Sequence, residues 1–409
     1  MSRLVTAARR LVPERREVRT MALADFVGAL GWGAFAAGSA VFFTRSVGLS
    51  AAQVGIGLSA AAAAGLAIAV PGGRLADRVG PVRVVVAAAL CSMVLFASYV
   101  LVDSFAAFLV VVTLLGITSR LDRIAIGAVI AGLLERGDRV KVSAFLRSVN
   151  NAGFAIGATL AGVVVAIDTR PAYLALPIGN VVATGVMVSL RSRLPRVPPA
   201  PPRAPGEQRW IALRDRPFVG LTLLYGLARL DGTLLDVAVP LWILHHTGAP
   251  RPLVAALMVV NTVMVVTLQV RAARGTETRH GIVRAKRLAS LAMIAACFVF
   301  AASGWVGESA AIAILVGGMA LLTTGELLIS AAGWSMLYGL ARPHAQGEYG
   351  AVFSLGTSAM QMGGPALVVL LTDRYGVTGW GAVAAVYAVV FVVIKPAMAR
   401  VGERPGLPV

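Results

Sequence analysis

Apolar runs of about twenty residues follow one another along the chain, separated by short polar and mostly basic connectors. A hydrocarbon core about 30 Å thick needs about 20 apolar residues of helix, because only a helix satisfies all its backbone groups within one segment. The pattern predicts twelve transmembrane helices, over 20–44, 51–72, 83–102, 104–134, 142–168 and 172–191, then 217–244, 252–271, 287–305, 309–340, 349–372 and 376–395. Several runs are rich in Gly and Ala, as at Ala60 to Ala64, where small side chains let helix backbones approach in lipid.

Composition agrees. Of 409 residues, 58% are hydrophobic and 14% charged, too apolar for a water-soluble surface. The net charge of +18 and pI near 11.3 raise nucleic-acid binding, so the placement of the basic residues matters. Most lie in the N-terminal segment, the connectors after the even-numbered runs and the C-terminus; the opposite connectors hold Arg45, Arg170, Arg251 and Arg374. This asymmetry predicts a multi-pass protein of the cytoplasmic membrane with both termini cytoplasmic, the positive charge meeting anionic lipid headgroups rather than nucleic acid. The apolar run after the basic first twenty residues is too long for a signal-peptide core and reads as a retained span, with Arg9-Arg10 and Arg15-Arg16 as anchors. Cys91 and Cys297 each sit inside an apolar run, which leaves no disulfide framework, and the four histidines read as loop residues, which argues against a metal site.

Between the sixth and seventh runs, Pro195, Pro198, Pro199, Pro201, Pro202 and Pro205 are interleaved with arginines, as expected of an extended, solvated linker. The expected organisation is a bundle over 1–190, a cytoplasmic linker over 191–216 and a second bundle over 217–409. The halves echo each other weakly about 200 residues apart: GRLADRVGPVR (Gly73 to Arg83) against ARGTETRHGIVR, and Gly153 and Gly157 against Gly356, Gly363 and Gly364. Duplication of this kind is common among transporters.

The connector after the second run carries Gly-x-x-x-Asp-Arg-x-Gly-x-x-Arg, at Gly73, Asp77, Arg78, Gly80 and Arg83. Placed between spans 2 and 3 of a twelve-span chain, it resembles the signature loop of the major facilitator superfamily. There the glycines permit a tight turn and the carboxylate can bond basic groups or cap a neighbouring helix. The resemblance implies that the loop is a latch between the halves, with Arg83 serving where the family usually has more basic residues. Arg123 followed by Gly127 in span 4 resembles a family element linked to proton transfer. In span 5, Gly153 to Gly162 resembles the antiporter motif, with Ala158 in place of the proline. Gly364-Pro365, beside Gly363 in span 11, supplies a candidate kink for the one that proline would give. The branch most resembled exports drugs and metabolites. The resemblance therefore implies an all-α fold of two six-helix bundles around a central cavity, alternating access, no cofactor beyond the proton motive force, and a monomer.

Ionisable residues near the bilayer centre cost about 2.5–3.5 kcal/mol each on insertion scales and call for a partner or a wet cavity. They fall at Asp25 in span 1, Arg120, Asp122 and Arg123 in span 4, Arg229, Asp231 and Asp236 in span 7, and Glu326 in span 10, with Arg147 near the start of span 5. In the resembled family, spans 1, 4, 7 and 10 line the cavity. On an ideal helix Arg229 and Asp236 share a face while Asp231 points elsewhere. Glu326 and Asp231 are the leading proton carriers by depth, followed by Asp122 and Asp25; interhelical ion pairing is the alternative for any one of them. Asn150, Asn151, Asn180, Asn261, Gln269, Gln361, Thr323 and Thr324 are polar candidates for substrate contact or interhelical bonding. Trp32, Phe35, Tyr225, Trp334 and Tyr338 line an apolar cavity or pack against lipid.

No G-x-x-x-x-G-K-[ST] loop occurs, which disfavours ATP-driven transport, and no enzymatic constellation is found. The expected function is a proton-coupled antiporter exporting a small amphipathic drug or secondary metabolite. A proton symporter importing a nutrient and a non-transporting membrane sensor or scaffold are the alternatives.

Overall fold

The computed structural model describes residues 15–199 and 210–401. Arg9-Arg10 and the linker prolines Pro201, Pro202 and Pro205 lie outside the described residues, as does the side chain of Pro365. Every regular element among the described residues is helical.

In the first half, α1 (Arg16–Val41) runs into a π turn (Phe42–Ser46), followed by α2 (Ala51–Val79), α3 (Pro81–Ser98), α4 (Phe105–Leu133), α5 (Arg136–Ile167) and α6 (Arg170–Arg191). After one helical turn at Ile211–Arg214 comes α7, a broken helix made of Arg216–Ala228, Leu230–Thr233, a π turn Leu234–Ala238 and Val239–His246. Then follow α8 (Leu253–Ala272), α9 (Arg279–Ala302), α10 (Glu308–Leu340) and α11 (Gln346–Ala399). In α11 two helices meet at Gly376, whose φ of 56° and ψ of −126° leave the helical region. Ten of the described helices are long and apolar enough to cross a membrane. The two remaining expected spans, 217–244 and 349–372, fall in the broken α7 and the first part of α11.

Several helices start where a side chain can take over orphan backbone donors. Ser50 and Gln53 form a reciprocal capping box at α2, while Ser104, Thr169, Asp215 and Thr278 accept from the first turns of α4, α6, α7 and α9. The break inside α7 also has a local cause. Pro240 has no N–H and its ring crowds the carbonyl four residues back, so the preceding turn widens into the π form over Leu234–Ala238.

One expectation is corrected here. The stretch Gly73 to Arg83 is not an open loop: α2 continues to Val79, α3 begins at Pro81, and Gly80 alone makes the turn, with φ 101° and ψ 128°. An apolar count ends at the membrane boundary, whereas helical hydrogen bonding can run on into water. The junction at Gly376 falls at the boundary between the two runs expected over 349–372 and 376–395.

The chain divides into two compact units, Met1–Glu207 with Arg342–Ala351, and Gln208–Ala341 with Val352–Val409. In the first unit, α1 and α5 lie backbone to backbone: a Cβ on Gly153 would strike the carbonyl of Phe26, one on Gly157 that of Leu30, and one on Gly33 that of Phe154. Likewise a Cβ on Gly116 of α4 would strike Ala61 of α2, inside the small-residue stretch noted above. Near the π turn an aromatic core gathers Phe35, Phe42, Phe43, Phe96, Tyr99, Phe108 and Tyr173. In the second unit the equivalent close approach joins Gly226 of α7 to Gly356 of α11, and Trp242, Trp380 and Phe300 pack together.

Candidate functional site

In the first unit a buried guanidinium gathers two part-buried carboxylates. Arg191, at the last turn of α6 and 4% exposed, donates from Nη2 to Asp25 Oδ1 of α1 at 3.0 Å and from Nη1 to Asp122 Oδ1 of α4. Three helices are thereby tied through one side chain. Arg123, the neighbour of Asp122, is exposed, and Arg120 is half-buried. Sequence reasoning placed Arg191 at the start of a solvated linker; the structure buries it inside the helix. An arginine at the edge of an apolar run looks the same in sequence whether it snorkels outward or turns inward.

In the second unit, Arg229 donates from Nη1 to Asp231 Oδ2 at 2.9 Å and to Ser330 Oγ of α10 at 3.4 Å. Asp231 is fully buried. The ideal-helix expectation that Arg229 and Asp231 point apart is corrected: the backbone leaves the α-helix at Arg229 (φ −76°, ψ 8°), which swings the two side chains together. Asp236, beyond the break, is exposed. Glu326 of α10, 7% exposed, accepts through Oε2 from Asn261 Nδ2 of α8 at 2.9 Å, and the same amide donates to Thr323 Oγ1 at 3.0 Å. Gln269 of α8 donates to the carbonyl of Leu327.

Lys286, counted by sequence among the basic connector residues, lies in α9 and is 1% exposed. The signal was present in the helical period: Ile282, Ala285, Lys286, Ala289 and Met293 share the buried face of α9. Its Nζ sits 4.2 Å from the centroid of the Tyr225 ring. Tyr225 in turn stacks on Phe353 at 4.4 Å, in the space left by Gly333. Trp32 is 48% exposed, its ring beside Phe35 and Phe96. His245 and His246 end α7 rather than lying in a loop, with His246 stacked on Trp242.

The signature stretch works through α11. Asp77 accepts the backbone N–H groups of Gly347 at 2.8 Å and Glu348 at 3.1 Å, orphan donors in the first turn of that helix. Gly73 is helical, and its lack of a side chain lets α2 reach the carbonyl of Gly347. Arg78 and Arg83 are exposed.

Membrane-length helices packed through glycines, with ion pairs and an amide-bound carboxylate buried in the bundles, define a polytopic membrane protein with ionisable groups in its interior. The chain belongs to the Major Facilitator Superfamily, whose family model matches residues 21–365. It has the all-helical, twelve-span architecture of that superfamily. Superfamily members are transporters rather than enzymes, and they typically work without a cofactor. Similar solved structures include a bacterial homologue of the iron transporter ferroportin in an outward-facing state, with a TM-score of 0.77 and 14% identity over 95% of this chain and 100% of that one. The human organic anion transporter MFSD10 (TETRAN) gives a TM-score of 0.71 and 17% identity over 93% and 99%. The E. coli fucose:proton symporter gives 0.68 and 12% over 93% and 98%. At these identities the likeness establishes the fold. No curated protein sequence matches the chain significantly.

Proposed function

We propose that the chain is a proton-coupled antiporter that exports a small amphipathic compound across the cytoplasmic membrane by alternating access, with both termini cytoplasmic and the monomer as working unit. The observation that carries this reading is the buried carboxylate of Glu326, held by the neutral amide of Asn261 on a neighbouring helix. A carboxyl oxygen can keep its bond from an amide N–H whether or not the group carries a proton. Asp231, by contrast, is tied to Arg229 at 2.9 Å. Glu326 is then the leading proton carrier, Asp231 stays paired with Arg229, and the Asp25–Arg191–Asp122 cluster ties helices of the first unit together. Export, rather than import, rests on the glycine pattern of α5, which resembles the antiporter motif. Asp77 would act as the latch on the start of α11.

The test uses everted membrane vesicles carrying a pH-gradient dye, challenged with ethidium, tetraphenylphosphonium and a lipophilic carboxylic acid. A probe that collapses the gradient in the wild type and leaves it intact in Glu326→Gln supports the reading. Gradient-driven accumulation of the same probes by intact cells contradicts export.

A further inference from the structure

We propose that Lys286 is a second proton-exchanging group of the transporter, acting on the same charge cluster as the carboxylates. The proposal rests on the proton-coupled reading above, but it stands on different residues.

The first observation concerns residue choice. Of the chain's 37 basic residues only Lys141, Lys286 and Lys395 are lysines. A guanidinium stays protonated in proteins, whereas an ammonium can give up its proton. Lys141 and Lys395 are exposed; Lys286 is the buried one. The second observation is geometric. An ammonium has three donors, yet among the described residues Lys286 Nζ meets no hydrogen-bond acceptor. Its neighbour is the face of Tyr225, 4.2 Å away. A ring face offsets part of the loss of water around a cation but accepts no conventional hydrogen bond.

The third observation is the balance of charge around it. Lys286 interacts electrostatically with Asp231, which is already taken by Arg229, and with Arg229 itself, whose guanidinium repels it. Tyr225, Arg229 and Asp231 face the group from α7; Glu326 of α10 interacts with Arg229, and Tyr387 of α11 with Arg229, Asp231 and Cys297 of α9. With Lys286 protonated, two cations share Asp231. With Lys286 neutral, Arg229 and Asp231 balance each other. On release the N–H electron pair stays on Nζ and the proton passes to a water molecule reaching the site during the cycle; uptake is the reverse. The Arg229–Asp231 pair can therefore stay intact while the cluster changes charge by one.

The test is a 13C NMR titration of the full-length wild type in lipid nanodiscs, labelled at lysine Cε, whose shift reports the state of Nζ. With three lysines the spectrum has three Cε signals, and Lys286→Arg identifies the one of interest by its loss. Between about pH 5 and pH 9 the Lys286 signal is expected to move between the ammonium and amine positions. A signal fixed at one position throughout that range overturns the proposal. Proton flux in proteoliposomes of the same samples separates the two readings. A titrating Lys286 without flux contradicts the coupled function while leaving the proton site standing. Flux with a Lys286 that does not titrate removes this proposal and leaves Glu326. In addition, Lys286→Arg, checked for monodisperse elution, is expected to flatten the pH dependence of flux by about tenfold across the same range, and an unchanged profile counts against the proposal.

Discussion

Arg191 faces two carboxylates, Asp25 and Asp122, from two other helices. Removing one partner of a buried ion pair leaves the other charge stranded, which costs about 3–5 kcal/mol when burial is complete. Asp25 and Asp122 keep side-chain exposures of 14% and 22%, so Arg191→Ala is expected to cost about 2–3 kcal/mol, toward or below the lower end of that range. Thermal unfolding in detergent should show a clear drop in midpoint. Restoring charge balance with Asp25→Asn in the Arg191→Ala background should recover part of the loss, and a double variant no better than the single one would remove the cluster from the account. These side chains also show where sequence reading stops. Asp25, Asp122, Asp231 and Glu326 were legible as buried charges because they interrupt apolar runs. Arg191 and Lys286 were not, because each sits at the border of its run, where a hydropathy pattern assigns basic residues to the membrane surface.

At the scale of the element, close approach and turn geometry decide what is tolerated. Gly157 of α5 lies against the carbonyl of Leu30, and backbone cannot give way as a side-chain tip can. Gly157→Val should therefore push α1 and α5 apart and cost about 1–3 kcal/mol, the range for overpacking, whereas the same change at Gly162, where a Cβ meets nothing, should be nearly silent. Gly80, at φ 101°, is the whole turn between α2 and α3, and Gly80→Val should cost about 1–3 kcal/mol for the forced conformation alone. Comparing detergent melting points of the three variants checks both ideas. The positions of the long helices were readable from apolar length. The break in α7 was not, although its cause, Pro240, stood in the sequence: an average over twenty residues does not register one missing N–H. Pairing Arg229 with Asp231 depends on a separate departure from the helix, at Arg229 itself (φ −76°, ψ 8°), so a smooth helical wheel put them on different faces.

At the scale of the whole molecule, membership of the Major Facilitator Superfamily and the buried charges describe a machine that moves a small solute by secondary transport. Asp77→Asn tests the signature stretch. It keeps the size of the side chain but removes the charge that complements the first turn of α11. Transport by Asp77→Asn is expected to fall at least about tenfold with little change in melting point, since one charge-assisted backbone contact is worth about 1–2 kcal/mol. Normal transport rates would show that the contact is incidental.

The most direct measurement of the central claim is proton movement in proteoliposomes holding purified protein and an internal pH dye, driven only by an imposed gradient of whichever probe the vesicle screen identifies. Protons are expected to move opposite to the probe in the wild type, with no coupled proton movement in Glu326→Gln. Protons moving in the same direction as the probe, or unaltered coupling in Glu326→Gln, would contradict it.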